Sequence, residues 1–259
     1  MKPALEIGAV IIGDELLTGK RQDRHQAMLT AALAEQGLEL SWLRIVGDSA
    51  ELLTQTFRET LARPAAWVFS YGGIGATPDD RTRACLAQAL GVPLQRHPEF
   101  VALLEQRFAE DAYPNRVLMA ELPQGATLVP NPINGIPGFI CARHVCVPGF
   151  PSMAEPMVRW AIATCLKDWM PTQPPLERSL RLQDVPESRL VPVLRAMEAR
   201  FPDLRFSSLP SHREEGYSVE LGVRGEAARV PEAFAALQDA LQREGFLGLD
   251  PFTAQYHAK

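Results

Sequence analysis

The chain has 259 residues and a net charge of −5, with 46% hydrophobic and 22% charged residues. This length suffices for a large core and favours more than one domain, and the composition is that of a globular protein. The acidic balance argues against a protein built to coat nucleic acid or an anionic membrane. No apolar run approaches the ~20 residues of a membrane span.

Cysteine usage and the N-terminal residues bear on the cellular compartment. The apolar run over 7–12 stops at Gly13-Asp14-Glu15, which is too early for a signal peptide. Scattered cysteines without a Cys-x-x-Cys pair are typical of reduced, buried thiols. We therefore expect a cytoplasmic protein. The cysteines are Cys85, Cys141, Cys146 and Cys165.

The first ninety residues alternate between strand-like and helix-like patterns. Strands are predicted over 5–12, 40–46 and 65–70, and helices over 23–36, 50–62 and 79–90. This alternation favours right-handed crossovers and an α/β fold, a three-layer αβα arrangement around a mostly parallel sheet. Ligands of such sheets bind beyond the carboxyl ends of the strands.

Beyond residue 90 the pattern is looser. It predicts helices over 98–110 and 113–122, an extended segment over 126–129 and paired strands over 139–141 and 145–147. A loop over 148–153 then leads into a helix that ends near residue 169.

A proline-rich linker over 171–176 predicts a boundary between a first domain, 1–170, and a second, 177–259. The second domain reads as a small α+β module of βαββα order, with a loosely held tail over 247–259. Packing or self-association is a better interpretation of this module than RNA binding. Its elements are predicted over 178–182, 187–201, 204–209, 217–223 and 228–244.

The most informative segment is 70–82, in which a strand runs into a glycine-rich turn and then a helix. Gly72, Gly73 and Gly75 permit positive φ and a close approach to backbone N–H groups. Thr77 suits the N-cap of the helix and Pro78 its first turn. Such a turn binds anions, so we expect it to hold the phosphates of a nucleotide-like ligand. A purely structural capping turn explains the same residues, and the pattern matches neither a P-loop nor a dinucleotide-binding fingerprint.

Acidic residues come directly after each of the first three strands. They are Asp14 and Glu15, then Asp48, then Asp79 and Asp80. Any one of them also suits a turn or a helix cap. Beside a phosphate site, however, carboxylates are favourable mainly when a divalent cation lies between them and the phosphate.

Taken together, these motifs resemble the molybdopterin-binding domains of molybdenum-cofactor biosynthesis proteins. Within that family they are most similar to the N-terminal part of competence/damage-inducible protein A and to the equivalent domain of FAD synthases. The linker and the βαββα module resemble the region that is C-terminal to that domain in competence/damage-inducible protein A. The chain departs from the family pattern at Ala76, where proline is common, at Arg24-His25, where Thr-Asn is common, and at Phe150, where valine is usual. The matching segments are Gly13-Asp14-Glu15-Leu16-Leu17 with Gly19, Val46-Gly47-Asp48, Gly72-Gly73-Ile74-Gly75 through Asp79-Asp80-x-Thr82, Asn131-Pro132, Pro137-Gly138-Phe139 and Pro148-Gly149-x-Pro151-Ser152.

The resemblance implies metal-dependent hydrolysis of a nucleotide pyrophosphate such as ADP-ribose or FAD, with Mg²⁺, Mn²⁺ or Co²⁺ and no tightly bound organic cofactor. It implies that Asp48 and Asp80 serve the metal and catalysis, and that Asp14 or Glu15 completes the metal shell or acts as general base. The residues expected to contact phosphate or ligand are Gly72, Gly73, Gly75, Thr77, Lys20, Pro137, Gly138 and Ser152.

Two other interpretations stay open. One is a non-catalytic binder of molybdopterin or a nucleotide, acting in cofactor biosynthesis or regulation, and the other, ranked lower, is a molybdopterin adenylyltransferase. Lys20, Arg21 and Arg24 suit a phosphate clamp, although a solvated basic cluster explains them as well. The expected partners are a small nucleotide or pterin and a second copy of the chain in a dimer, without nucleic acid or membrane.

Overall fold

The computed structural model describes residues 5–213 and 216–246. The chain divides into two compact units, Met1–Met170 and Pro171–Lys259. The tail predicted over 247–259 lies outside the described residues.

A six-stranded sheet organises the first unit, with the strand order β2-β1-β3-β8-β7-β6. Strands β2, β1, β3 and β8 are parallel, whereas β7 and β6 continue the sheet in antiparallel pairing. The predicted mostly parallel sheet is therefore confirmed. The strands of this unit are β1 (Glu6–Ile12), β2 (Trp42–Val46), β3 (Ala66–Tyr71), β4 (Leu94–Arg96), β5 (Glu121–Pro123), β6 (Thr127–Val129), β7 (Gly138–Cys141) and β8 (His144–Val147), of which β4 and β5 form a separate small sheet.

Helices cover both faces of the main sheet. Side chains of β1 alternate between the faces because successive residues of a strand point to opposite sides. Ile7, Ala9 and Ile11 join one buried apolar cluster, and Val10 and Ile12 join the other. This is the three-layer arrangement that the sequence predicts. The helices are α1 (Asp14–Leu17), α2 (His25–Ala34), α3 (Ala50–Leu61), α4 (Thr82–Leu90), α5 (Pro98–Phe108) and α6 (Pro151–Cys165).

Three predictions for the first unit are wrong. The helix expected over 113–122 is instead a short 3₁₀ turn, Arg116–Ala120, and then β5, which pairs with β4. The helix expected from Asp79 begins only at Thr82. The segment 13–20, expected to be a loop, contains the single helical turn α1.

The second unit has the predicted βαββα order. Its three strands form an antiparallel sheet, β10-β11-β9, and its two helices share a buried core with that sheet. The elements are β9 (Leu176–Gln183), α7 (Glu187–Arg200), β10 (Arg205–Arg213), β11 (Gly216–Gly225) and α8 (Val230–Arg243).

In the ranges 5–213 and 216–246, every helix is too short or too polar to cross a bilayer.

Candidate functional site

The carboxyl ends of the four parallel strands lie in register at one edge of the sheet. Ile12 of β1 is level with Val46 of β2, and Ile11 of β1 is level with Tyr71 of β3, which in turn is level with Val147 of β8. The loops that begin at residues 13, 47, 72 and 148 therefore emerge side by side, at the edge where ligands of open parallel sheets bind.

Asp14 and Asp48 meet at this edge. The Asp14 N–H donates to Asp48 Oδ2 at 2.9 Å, and the Asp48 N–H donates to Asp14 Oδ1 at 3.2 Å. Gly47 permits this approach, because a Cβ there would stand 2.4 Å from Asp14 Oδ1. The structure thus brings together two of the predicted acidic residues.

The Asp48 carboxyl is electrostatically crowded. Partial burial raises its pKa, and the charges of Asp14, Glu15 and Asp79 raise it further, against the lowering effect of the N–H that Asp14 donates. Asp79, which follows the glycine-rich turn, is thus among the carboxylates that act on Asp48. A cation held at this point would relieve the repulsion.

The glycine-rich turn fits closely against its neighbours. Gly72 and Gly73 have positive φ, +98° and +67°, and a Cβ on Gly73 would stand 2.5 Å from Thr82 Oγ1. Thr82 stabilises the turn by donating its hydroxyl to Gly72 O (2.8 Å) and its N–H to Gly73 O (3.0 Å). These contacts direct the carbonyl groups of Gly72 and Gly73 towards Thr82.

The N–H groups of the same turn are free. Among the described residues, the backbone N–H groups of Gly73, Ile74 and Gly75 donate no hydrogen bond. These residues are partly exposed. Unpaired donors in a glycine-rich turn are the arrangement that binds phosphate oxygens, so we refer to residues 72–76 as the cradle.

Residues 77–80 form a turn and not the start of a helix. Asp80 accepts hydrogen bonds from the Thr77 N–H (2.8 Å) and the Thr77 hydroxyl, and the Asp80 N–H donates back to Thr77 O (2.9 Å). Thr77 is therefore not the N-cap of α4, contrary to the sequence prediction. Both bonds from Thr77 go to Asp80 Oδ2, so the metal-ligand role predicted for Asp80 would fall mainly to Oδ1.

Arg81 joins Asp48 to the turn at 77–80, which follows the cradle. Its Nη1 donates to Asp48 O at 3.2 Å, and its Nε donates to Pro78 O at 3.4 Å. A Cβ on Gly72 would stand 2.8 Å from Ile12 O, so the cradle begins beside the loop that carries Asp14. The carboxylates of Asp14 and Asp48 and the free N–H groups of the cradle therefore lie on neighbouring loops at one edge of the sheet.

A cleft of about 440 Å³ opens beside this surface. Glu15, Arg21 and Arg24 line it, together with Gly149 from the loop after β8. A Cβ on Gly149 would stand 3.4 Å from Gly72 Cα, so the cleft borders the cradle. It combines cationic side chains with apolar wall, as a phosphorylated organic ligand requires.

His25 also lines the cleft. Its Nδ1 lies 2.9 Å from Asp23 Oδ1, and its ring is 4.6 Å from the Tyr71 ring between centroids. His25 Nε2 and Tyr71 Oη are buried without hydrogen-bond partners. Burial raises the pKa of Tyr71, and the Asp23 charge adds to this effect, so the phenol stays neutral.

Of the four predicted ligand contacts outside residues 70–82, two are exposed and two are buried at the start of β7. Lys20 is exposed on the loop whose Arg21 lines the cleft, and Ser152 is exposed in the first turn of α6. Pro137 and Gly138 are buried where β7 begins. A Cβ on Gly138 would stand 2.3 Å from Cys146 O, so strand packing accounts for this glycine.

The acidic pair fits a divalent cation that shares its ligands with a substrate. Among the described residues, no three His, Cys, Asp or Glu side chains are arranged to hold a metal ion. Mg²⁺ is, however, commonly held by one or two carboxylates together with substrate phosphates, and carboxylate oxygens also suit Mn²⁺. Asp14 and Asp48 supply such a pair.

Comparison with known proteins is consistent with this fold and site. Residues 8–168 match the family model described as "Probable molybdopterin binding domain", and residues 176–249 match that of "FAD synthase, middle domain". A protein of Pyrobaculum calidifontis is 29% identical over 242 residues, covering 90% of this chain and 92% of the relative. A "CinA-like protein" of Koribacter versatilis is 33% identical over 239 residues, 88% of this chain but 56% of the relative.

A solved structure shows the same likeness. The protein CinA of Thermoplasma acidophilum, described as of unknown function, is 26% identical with a TM-score of 0.56, covering 64% of this chain and 98% of that one. The fold defines an α/β protein of a class that binds small molecules. The chain belongs to the molybdopterin-binding domain family, and its relatives within it include CinA-like proteins.

Proposed function

We propose that the protein is a divalent-metal-dependent hydrolase of a nucleotide pyrophosphate such as ADP-ribose or FAD. The observation that carries this proposal is the proximity of two features on neighbouring loops, the Asp14–Asp48 carboxylate pair and the unpaired N–H groups of the cradle. A diphosphate and its metal ion need these two features side by side, one for the cation and one for the anionic oxygens.

Each part of the site has a role in this reaction. Asp14 and Asp48 hold the metal ion, which supplies charge neutralisation and a more acidic bound water. The N–H groups of Gly73, Ile74 and Gly75 donate to phosphate oxygens and stabilise the charge that develops there. Glu15, which lines the cleft, accepts a proton from the attacking water.

The cleft beside the cradle receives the organic part of the ligand. Arg21 and Arg24 provide bidentate donors for an outer phosphate or a sugar oxygen, and the apolar wall contributed by Ile11, Ile12 and Leu16 excludes water from one side. A pterin phosphate would use the same cradle and cleft, in keeping with the description of the family.

The test is a hydrolysis screen with the purified full-length chain. ADP-ribose and FAD are incubated with Mg²⁺, Mn²⁺ or Co²⁺, and products are separated by chromatography. Cleavage of the P–O–P bond of ADP-ribose by water gives AMP and ribose 5-phosphate, and chelation of the metal by EDTA is expected to abolish it. Thermal stabilisation by these ligands without hydrolysis would favour a non-catalytic binder instead.

A further inference from the structure

Arg83, in the first turn of α4, is a buried cation to which the proposed reaction gives no role. Only 8% of its surface is exposed. The charges that act on it are the carboxylates of Asp80 and Glu121, but within the described ranges neither forms an ion pair with it. Burying a charge without a paired carboxylate is costly, so its retention needs an explanation.

The guanidinium of Arg83 instead binds three backbone carbonyls. Nη2 donates to Gly75 O at 2.5 Å, while Nη1 donates to Glu121 O at 3.2 Å and to Leu118 O. The first carbonyl belongs to the cradle, and the other two belong to the 3₁₀ turn before β5 and to β5 itself. The planar fork of arginine presents a separate nitrogen to each segment, whereas an ammonium group would have to reach both segments through one nitrogen.

This contact fixes the direction of a cradle donor. In a trans peptide unit the C=O and the following N–H point in opposite directions, and the bond between Gly75 and Ala76 is trans. With Gly75 O held toward Arg83, the N–H of Ala76 points away from the guanidinium. In the described part of the chain that N–H has no acceptor.

The same contact places a positive charge behind the cradle. Charges in a partly dehydrated setting are screened less than charges in water, so the guanidinium contributes an attractive potential for an anion bound at the N–H groups. A purely mechanical tie between two segments would explain the hydrogen bonds, but it would not require a group that stays cationic when buried.

We propose that Arg83 is a positioning residue of the cradle, which orients the Gly75–Ala76 peptide for a bound diphosphate and adds positive potential behind it. This inference rests on the proposed function, because it assumes that the cradle binds phosphate. Arg83 acts through the peptide and does not itself touch the ligand.

The test measures binding of inorganic pyrophosphate by calorimetry, in the presence of Mn²⁺, with the full-length chain. Arg83→Met is expected to bind at least ~10-fold more weakly than the wild type, the scale of a lost charge-assisted hydrogen bond. Arg83→Lys keeps the charge but not the fork and is expected to bind about 3- to 10-fold more weakly. Arg143→Met is the matched control, because Arg143 also donates to a backbone carbonyl, Ala66 O, but precedes β8 at the opposite edge of the sheet.

Urea unfolding establishes that each variant is folded. If Arg83→Met does not fold, Arg83→Lys decides the matter, and affinity within about twofold of the wild type would overturn the proposal. Equal weakening by Arg143→Met would overturn it too, because the effect would then be one of net charge. A wild-type chain that does not bind pyrophosphate would refute the proposed function itself, which separates the two failures.

Discussion

The two edges of the main sheet differ in how their polar groups are paired. At the carboxyl edge, the cradle N–H groups lack acceptors and the Asp48 carboxyl lies among like charges. At the amino edge, the buried side chains of Thr60 and His144 bond to each other at 2.8 Å. Partly exposed donors and a carboxyl crowded by like charges are available to a ligand and its cation, so this difference favours the carboxyl edge as the binding surface. Substitutions at the first edge should therefore change binding and turnover, and substitutions at the second should change stability alone.

The largest effect is expected for Asp48→Asn. The amide oxygen still accepts the Asp14 N–H, but the metal loses a charged ligand, so turnover of ADP-ribose with Mn²⁺ should fall at least ~10²-fold. Stability should be unchanged or higher, because the substitution removes a repelled charge. Steady-state kinetics and urea unfolding measure the two quantities. Unchanged turnover would remove Asp48 from the mechanism.

Asp80→Asn, at the same edge of the sheet, provides a comparison for Asp48→Asn. The amide oxygen can still accept from Thr77 but without the charge, so stability should fall by no more than about 1 kcal/mol, and turnover should fall less than in Asp48→Asn. A variant that retains full stability but loses turnover as completely as Asp48→Asn would instead indicate that Asp80 binds the metal.

The next effect concerns pH at the amino edge. Burial lowers the pKa of His144 from 6.5 to about 4, and the Arg143 charge adds to this, whereas the bond to Ala142 O opposes it. The unfolded chain takes up a proton near pH 6.5, but the folded chain does not until about pH 4. The stability from this residue is therefore complete above pH 6.5 and declines by ~3 kcal/mol as the pH falls to about 4.

The free energy of unfolding in urea is measured for the wild type and for His144→Gln, at about pH 7 and at about pH 4.5. The comparison isolates the contribution of His144, because the carboxylates of the chain titrate equally in both proteins. The wild type should lose about 2–3 kcal/mol more than the variant. Equal losses in the two proteins would mean that His144 is protonated in the folded state.

Gly73→Ala tests the cradle against a matched glycine. Gly73 (φ +67°) and Gly91 (φ +70°) share a left-handed backbone, but a Cβ at Gly73 meets Thr82 Oγ1 whereas a Cβ at Gly91 meets nothing within 4 Å. Gly91→Ala should cost about 1 kcal/mol and Gly73→Ala about 2. Only Gly73→Ala should weaken pyrophosphate binding, as titration calorimetry would show. Equal losses of stability in the two variants, with unaltered pyrophosphate binding by Gly73→Ala, would mean that the cradle accommodates a Cβ at residue 73.

Much of this edge is predictable from sequence because strand ends and acidic turns reflect local periodicity. The start of α4 is not, because a Thr-x-x-Asp segment satisfies either a helix cap or the turn in which Asp80 bonds to Thr77. Both use the same donors and acceptors, so the choice depends on tertiary contacts such as that of Thr82 with Gly72 O.

Arg83 is a second limit of sequence-based prediction. An arginine in an amphipathic helix normally indicates a solvated face. Its burial depends on Leu118 and Glu121, which lie 35 and 38 residues further along the chain. The proximity of Asp14 and Asp48, by contrast, can be predicted from the sequence, because parallel strands place their carboxyl ends at one edge of the sheet.

The smallest effect is expected for Glu6→Gln at the amino edge, where Glu6 pairs with Arg63. Both side chains are partly exposed, 27% and 43%, so solvent screens the pair and its loss should cost no more than ~1 kcal/mol. Arg63 also packs against the Trp42 ring, which limits its freedom after the substitution. Turnover and pyrophosphate affinity should match the wild type. A fall in turnover or in pyrophosphate affinity, in a folded variant, would contradict the expectation that substitutions at the amino edge change stability alone.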